Sequence, residues 1–386
     1  MTYLDHAATT PLRASAREAW LAAAEEVGNP SSLHAAGRRA RAIVEDARER
    51  IAAALGADAP EVILTSGGTE ADNLAIKGLH WGRLAQEPSR RDVVVSAVEH
   101  HAVLDPARWL AERGDADLVE LPVDPTGRLE AAALAATVGP ATSLVSVMWA
   151  NNEVGAVQPV ADVVAAARAH GVPVHADAVQ AVAYLDVHLH RSGLDAMTVS
   201  AHKVGGPVGV GALLARRGLP LVPLAHGGGQ QRSVRSGTLD APGAAAFAAA
   251  LDEAVAERAA ERARLERLRA RLAEALRAHV PEATLSGPAD PAHRLPGIVH
   301  LVVPGARAES VLFLLDAAGI AASSGSACTA GVVQSSHVAM AMGWSADDAA
   351  CTVRLSLGRT SSEEDVAAVV AALPDAVARA RAASGR

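Results

Sequence analysis

Between residues 60 and 215, short apolar runs alternate with alanine-rich amphipathic segments, and that alternation constrains the fold more than any other feature. EVILTS (61–66), DVVVSA (92–97), SLVSVMW (143–149), VPVHAD (172–177) and DAMTVSA (195–201) have the length and β-branched content of buried strands, and GVGALLA (209–215) adds another. Segments such as VADVVAAARAHG (160–171), closed by a glycine, have the pattern of helices between them. Buried strands alternating with helices predict a largely parallel sheet covered on both faces.

The pattern changes near residue 250. The stretch 251–279 is helical, with Leu265, Leu268, Leu272 and Leu276 on one stripe. It suits either a coiled coil or a helix joining two domains. GIVHLVV (297–303), VLFLLDAAG (311–319) and TVRLSLG (352–358) then suggest a smaller α/β unit. A chain of 386 residues favours two domains. The expected division is a large domain over 14–255 and a small one made of 1–13 and 256–386.

Composition excludes several function classes. Net charge is −8 and there is no Lys/Arg-rich block, which disfavours direct nucleic-acid binding. Five Trp, two Tyr and two Phe provide few base-stacking platforms. No run is long and apolar enough to span a membrane, and MTYLDHAATTPLR lacks the apolar stretch of a signal peptide. Two cysteines, neither in a CxxC, suit a reduced cytoplasmic setting and cannot by themselves ligate an iron–sulfur cluster. Cys351, just before an apolar strand, reads as core. Cys328 sits in SSGSACTAG (323–331), a run of residues too small to pack a core.

Polar clusters follow the strand candidates, where open α/β sheets bind ligands. SGGTEADNLAIKG (66–78) has the makings of a phosphate cradle, with Gly67 and Gly68 for close approach, Thr69 for a hydroxyl, and a helix start behind them. It lacks the GK[ST] of a nucleotide-triphosphate loop. AVEHHAVL (97–104) offers His100 and His101, which could stack on a flat ring, move a proton or simply cap a helix. WANNEVG (149–155) supplies two amides and a carboxylate. Asp177 ends an apolar strand with Gln180 one turn on, and suits a cationic partner such as a protonated ring nitrogen. Lys203, in SAHKVGG (200–206), is either salt-bridged or a reactive amine. Arg354, inside a strand pattern, could hold a carboxylate, and 226–243 is a polar glycine-rich loop. Cradle, ring-nitrogen carboxylate and lysine together describe a pyridoxal phosphate site.

The motifs GNPSSLHAAGR, SGGTEADNLAIKG, EHHAVL, NNEVG, HADAVQ, SAHKVGGP, RSGTL and SSGSACTAG, in that order, resemble those of the group I cysteine desulfurases, pyridoxal 5'-phosphate enzymes of the type I aminotransferase fold. The resemblance covers almost the whole chain and implies roles. Lys203 would bond covalently to the cofactor and act as base at the substrate Cα. His100 would stack on the ring, Asp177 would pair with its nitrogen and Gln180 with its oxygen. Gly68, Thr69, Ser200 and His202 would hold the phosphate, joined by Thr238 from the second subunit of a homodimer. Asn152 and Arg354 would grip the carboxylate of L-cysteine, and Cys328, on a mobile loop at about 323–335, would take the sulfur as a persulfide. An acceptor protein would follow, either an iron–sulfur scaffold or a tRNA-thiolating enzyme. The short stretch after Arg354 weighs against the docking tail of scaffold-feeding relatives. The rival readings are a selenocysteine lyase or another C–S lyase of the same fold and, more distantly, a non-catalytic sulfur-transfer scaffold.

Overall fold

The computed structural model describes residues 1–325 and 335–384. Its centre is a seven-stranded sheet built from β1 (Val62–Thr65), β2 (Asp92–Ser96), β3 (Asp117–Leu121), β4 (Thr142–Ser146), β5 (Val174–Asp177), β6 (Ala196–Ser200) and β7 (Gly211–Ala215). The spatial order is β1-β7-β6-β5-β4-β2-β3. All pairings are parallel except those of β7, which runs antiparallel to both β1 and β6. One hydrophobic cluster packs Val94, Val145, Val174 and Met197, and another packs Ile63, Val93, Leu144 and Leu213. Val93 and Val94 alternate along one strand, so the two clusters cover opposite faces.

Strand β3 escapes the apolar-run reading. Its sequence, DLVEL, buries only Leu121 fully, because it is the sheet's edge and keeps Asp117 in water.

The helical stretch starts earlier than its leucine stripe suggests. Helix α1, as numbered here, spans Ala241–His279, begins at an Asp240 cap and has Pro242 in its first turn. Its first half, with Ala244, Phe247 and Leu251, belongs to the large-sheet core. Its second half places Leu265, Leu268, Leu272 and Leu276 in a separate core. The stripe is buried within the chain, so it forms no coiled-coil seam. That second core also contains Val299, Leu301, Val353 and Leu355 from an antiparallel sheet of β8 (Thr284–Ser286), β9 (Ile298–Val302) and β10 (Thr352–Ser356), ordered β10-β9-β8. Helices α2 (Ala308–Ala317) and α3 (Glu363–Ala383) pack there too, and Leu4 brings the N-terminal segment onto it. Cys351 is a buried free thiol whose pKa burial raises. No helix among the described residues is long and apolar enough to cross a membrane.

Candidate active site

The carboxyl ends of the central strands open into a cavity of about 300 Å³. From the large sheet it is lined by Gly68 and Thr69 after β1, His100 after β2, Asn152 after β4, Asp177 at the end of β5 and Gln180 beyond it, and Ser200 at the end of β6 with His202 and Lys203 beyond it. Arg354 reaches it from β10 of the small sheet, and Ser323 and Gly325 complete that side. Residues separated by hundreds of positions thus share one space.

Thr238 is exposed and does not line the cavity. Cys328 lies outside the described residues.

The cradle is shaped by backbone. Gly67 has φ +148°, a conformation that side chains rarely adopt, and it turns the chain from β1 into the helix that begins at Gly68. A Cβ on Gly68 would press on Val179 Cγ2 at 3.3 Å, so that wall has no spare room. The helix starts with Gly68 and Thr69 and directs free amides toward the cavity end.

Lys203 is held by the N-terminal segment. Its Nζ donates to the carbonyls of Ala7 at 2.5 Å and Ala8 at 2.8 Å. Gln180 Nε2 donates to the same Ala7 carbonyl at 2.8 Å. His202 is anchored alongside, its Nδ1 at 3.2 Å from the Thr9 hydroxyl. Arg354 is only 3% exposed. It gives Nη1 to the Asn152 carbonyl at 2.9 Å and Nη2 to Asp5 at 2.8 Å. Asp5, Ala7 and Ala8 also line the cavity, and the strand-end reading missed all three. Backbone carbonyls leave no trace in a residue string, and Asp5 sits in a segment with no strand or helix pattern.

Burial dominates the electrostatics. It pushes the Asp177 carboxyl up to about 6, against the lowering effect of the Val179 amide and of Lys203. A cationic partner would restore its charge. Asp72 lies beside it, held well above the usual carboxylate range by burial and then by Asp177, with one oxygen lacking a hydrogen bond. His100 is lowered to about 4 by burial, then by Lys203. Its Nδ1 accepts the Ala102 amide at 3.1 Å, so the imidazole caps the helix His101–Glu112 in its neutral form. His202 is likewise lowered to about 4, by burial and Lys203.

This donor set fits a pyridoxal ring and phosphate: a lysine amine, a buried carboxylate awaiting a cation, a neutral imidazole, and a helix start with hydroxyls. No group of three or more His, Cys, Asp or Glu side chains among the described residues is arranged to hold a metal ion.

Fold and site together define a cofactor-dependent α/β enzyme, and comparison with known proteins gives its family. Residues 2–369 match the aminotransferase class-V family, and the chain belongs to it. It is 52% identical, over all of its own length and 98% of the relative's, to an IscS-like cysteine desulfurase of Mycobacterium tuberculosis. A NifS-like protein has a similar structure, with a TM-score of 0.90 at 33% identity, covering 98% of this chain and 99% of that one. SspA in complex with cysteine matches with a TM-score of 0.78 at 31% identity, over 93% of this chain and 99% of that one.

Proposed function

We propose that this protein is a cysteine desulfurase that converts L-cysteine to L-alanine and keeps the sulfur as a persulfide on Cys328. The observation that carries the reading is the single cavity shared by Lys203, Asp177, His100, the Gly68–Thr69 helix start and Arg354. Family membership and the desulfurase relatives support it, as does the cysteine complex of a structural neighbour.

Pyridoxal 5'-phosphate, when bound, supplies an electron sink for charge left at the substrate Cα. Lys203 would bond to it, Asp177 would face its ring nitrogen and Gln180 its ring oxygen. His100 would lie against the ring, and Gly68, Thr69, Ser200 and His202 would take its phosphate. Lys203 Nζ would act as the base for the Cα proton. Arg354 and Asn152 hold the substrate carboxylate, which competes with Asp5 for the guanidinium. His100, neutral over the physiological range and with Nδ1 accepting the Ala102 amide, would carry its proton on Nε2 and offer it as a hydrogen bond to a reacting group. The Cys328 thiolate attacks the substrate sulfur. An S–S bond forms as the substrate's C–S bond breaks, the carbon side takes a proton, and alanine leaves. A lyase of the same fold would need no such thiol, and Cys328 stands three positions after Gly325, which lines the cavity.

The reading extends to a cytoplasmic homodimer in which Thr238, away from its own chain's cavity, completes the phosphate site of the second subunit. The persulfide then serves an acceptor protein, either an iron–sulfur scaffold or a tRNA-thiolating enzyme. Lys203→Ala tests the assignment. The variant is expected to lose the cofactor's bound absorbance band and all turnover of L-cysteine, and normal alanine production by it would refute the site.

A further inference from the structure

Glu153 has no role in the chemistry above, yet it is a carboxylate only 2% exposed, next to Asn152. Its own backbone is rigid, because the Asn151 side-chain oxygen accepts the amides of Glu153 at 2.8 Å and Val154 at 2.9 Å. Asn151 is tied in turn to the Val98 carbonyl at 2.9 Å. The carboxylate therefore projects from a fixed turn.

It touches both ends of one segment. On one side the Ser336 hydroxyl donates to Glu153 Oε2 at 2.5 Å, and Ser336 Oγ also caps the helix His337–Ala341. On the other side Gly325, at φ +82°, lies so close that a Cβ there would meet Glu153 Cγ and Oε2 at 3.0 Å. Gly325 ends a stretch strapped to β10, since Ser323 and Arg354 exchange backbone hydrogen bonds and Thr352 Oγ1 donates to the Ser324 carbonyl. Gly325 and Ser336 bracket the residues that include Cys328.

We propose that Glu153 is a positioning residue for sulfur transfer: by gripping Ser336 and packing on Gly325 it fixes both anchor points of the Cys328-bearing segment relative to the substrate carboxylate site. The inference rests on the desulfurase reading. One rigid turn then carries Asn152, beside the substrate carboxylate, and Glu153, beneath the nucleophile's anchors. Burial pushes the Glu153 carboxyl up, while His337, the Ser336 hydroxyl, Arg354 and His101 act to keep it charged.

The test uses holoenzyme mixed with one equivalent of L-cysteine and quenched at intervals, with persulfide on Cys328 quantified by peptide mass. Glu153→Ala is expected to slow persulfide formation by about 10- to 100-fold, the cost of a misplacement near 1 Å. Its cofactor absorbance band and spectroscopically titrated affinity for L-cysteine should stay within about twofold, so the loss falls on kcat and not KM. Glu153→Gln keeps an oxygen for the Ser336 hydroxyl and should recover most of the rate. Ser336→Ala removes the same bond from the other side and should reproduce the loss, which keeps the test decisive should Glu153→Ala fail to fold. Persulfide formation at the wild-type rate in Glu153→Ala or in Ser336→Ala would overturn the proposal. Equal loss of cofactor band and cysteine affinity in these variants would also overturn it, by showing a general role in the fold. Wild-type enzyme serves as the control: no persulfide on its Cys328 would fail the desulfurase reading itself.

Discussion

Burial acts in opposite senses on the two kinds of titratable group around the cavity. His100 binds fewer protons folded than unfolded between its lowered value of about 4 and the usual 6.5. Stability therefore falls as pH drops through that window. Asp177 binds more protons folded than unfolded between 3.8 and its raised value of about 6, so its contribution falls as pH rises through that range. A replacement that cannot be protonated should remove the first effect. His100→Gln is expected to lose less thermal stability than wild type between pH 6.5 and 4.5, by an amount on the order of a few kcal/mol. Melting curves of the two proteins at both pH values check this, and parallel losses would show that His100 is not buried in neutral form. The residues behind that argument were partly visible in the sequence. Lys203 and Asp177 stand out because a charge at the end of an apolar run needs a reason. Asp72 did not, for it lies inside a motif already given another purpose, and Glu153 counted only as the carboxylate of WANNEVG with no role; packing alone exposes the buried oxygens of both.

At the scale of the element, helix α1 does the most joining. Its 39 residues begin in one hydrophobic core and end in the other. Leu272 is fully buried in the second core, so Leu272→Ala should cost about 2–5 kcal/mol by leaving a cavity. Denaturant unfolding measures that loss. A variant of unchanged stability but altered oligomeric state would instead revive the coiled-coil reading of the stripe. A leucine stripe states that a face is buried and is silent on what buries it, which is why the sequence left both readings open. Strand β3 was hidden for the opposite reason: an edge strand carries too few apolar residues to be told from a polar connection. The N-terminal segment was hidden too, because the carbonyls of Ala7 and Ala8 accept from Lys203 and Gln180 and the Thr9 hydroxyl meets His202, partners about half the chain away in sequence.

For the whole molecule, the proposed dimer makes a prediction that one chain cannot. Lys203→Ala and Thr238→Ala homodimers should each be defective. Mixed dimers should regain one working site, because the intact Lys203 of one chain would meet the intact Thr238 of the other. Subunit exchange followed by an alanine assay reads this directly. No recovery, with mixed dimers verified by mass, would mean that Thr238 serves its own chain or no site. The central claim is that a chain folded around one strand-end cavity delivers the sulfur of cysteine to Cys328. The direct measurement is peptide-mapped mass of the purified protein after incubation with L-cysteine and no reductant. The account predicts added sulfur on Cys328, removed by a thiol reductant, with alanine in the solution. Alanine or pyruvate appearing while Cys328 stays unmodified would contradict it and assign the cavity to a lyase.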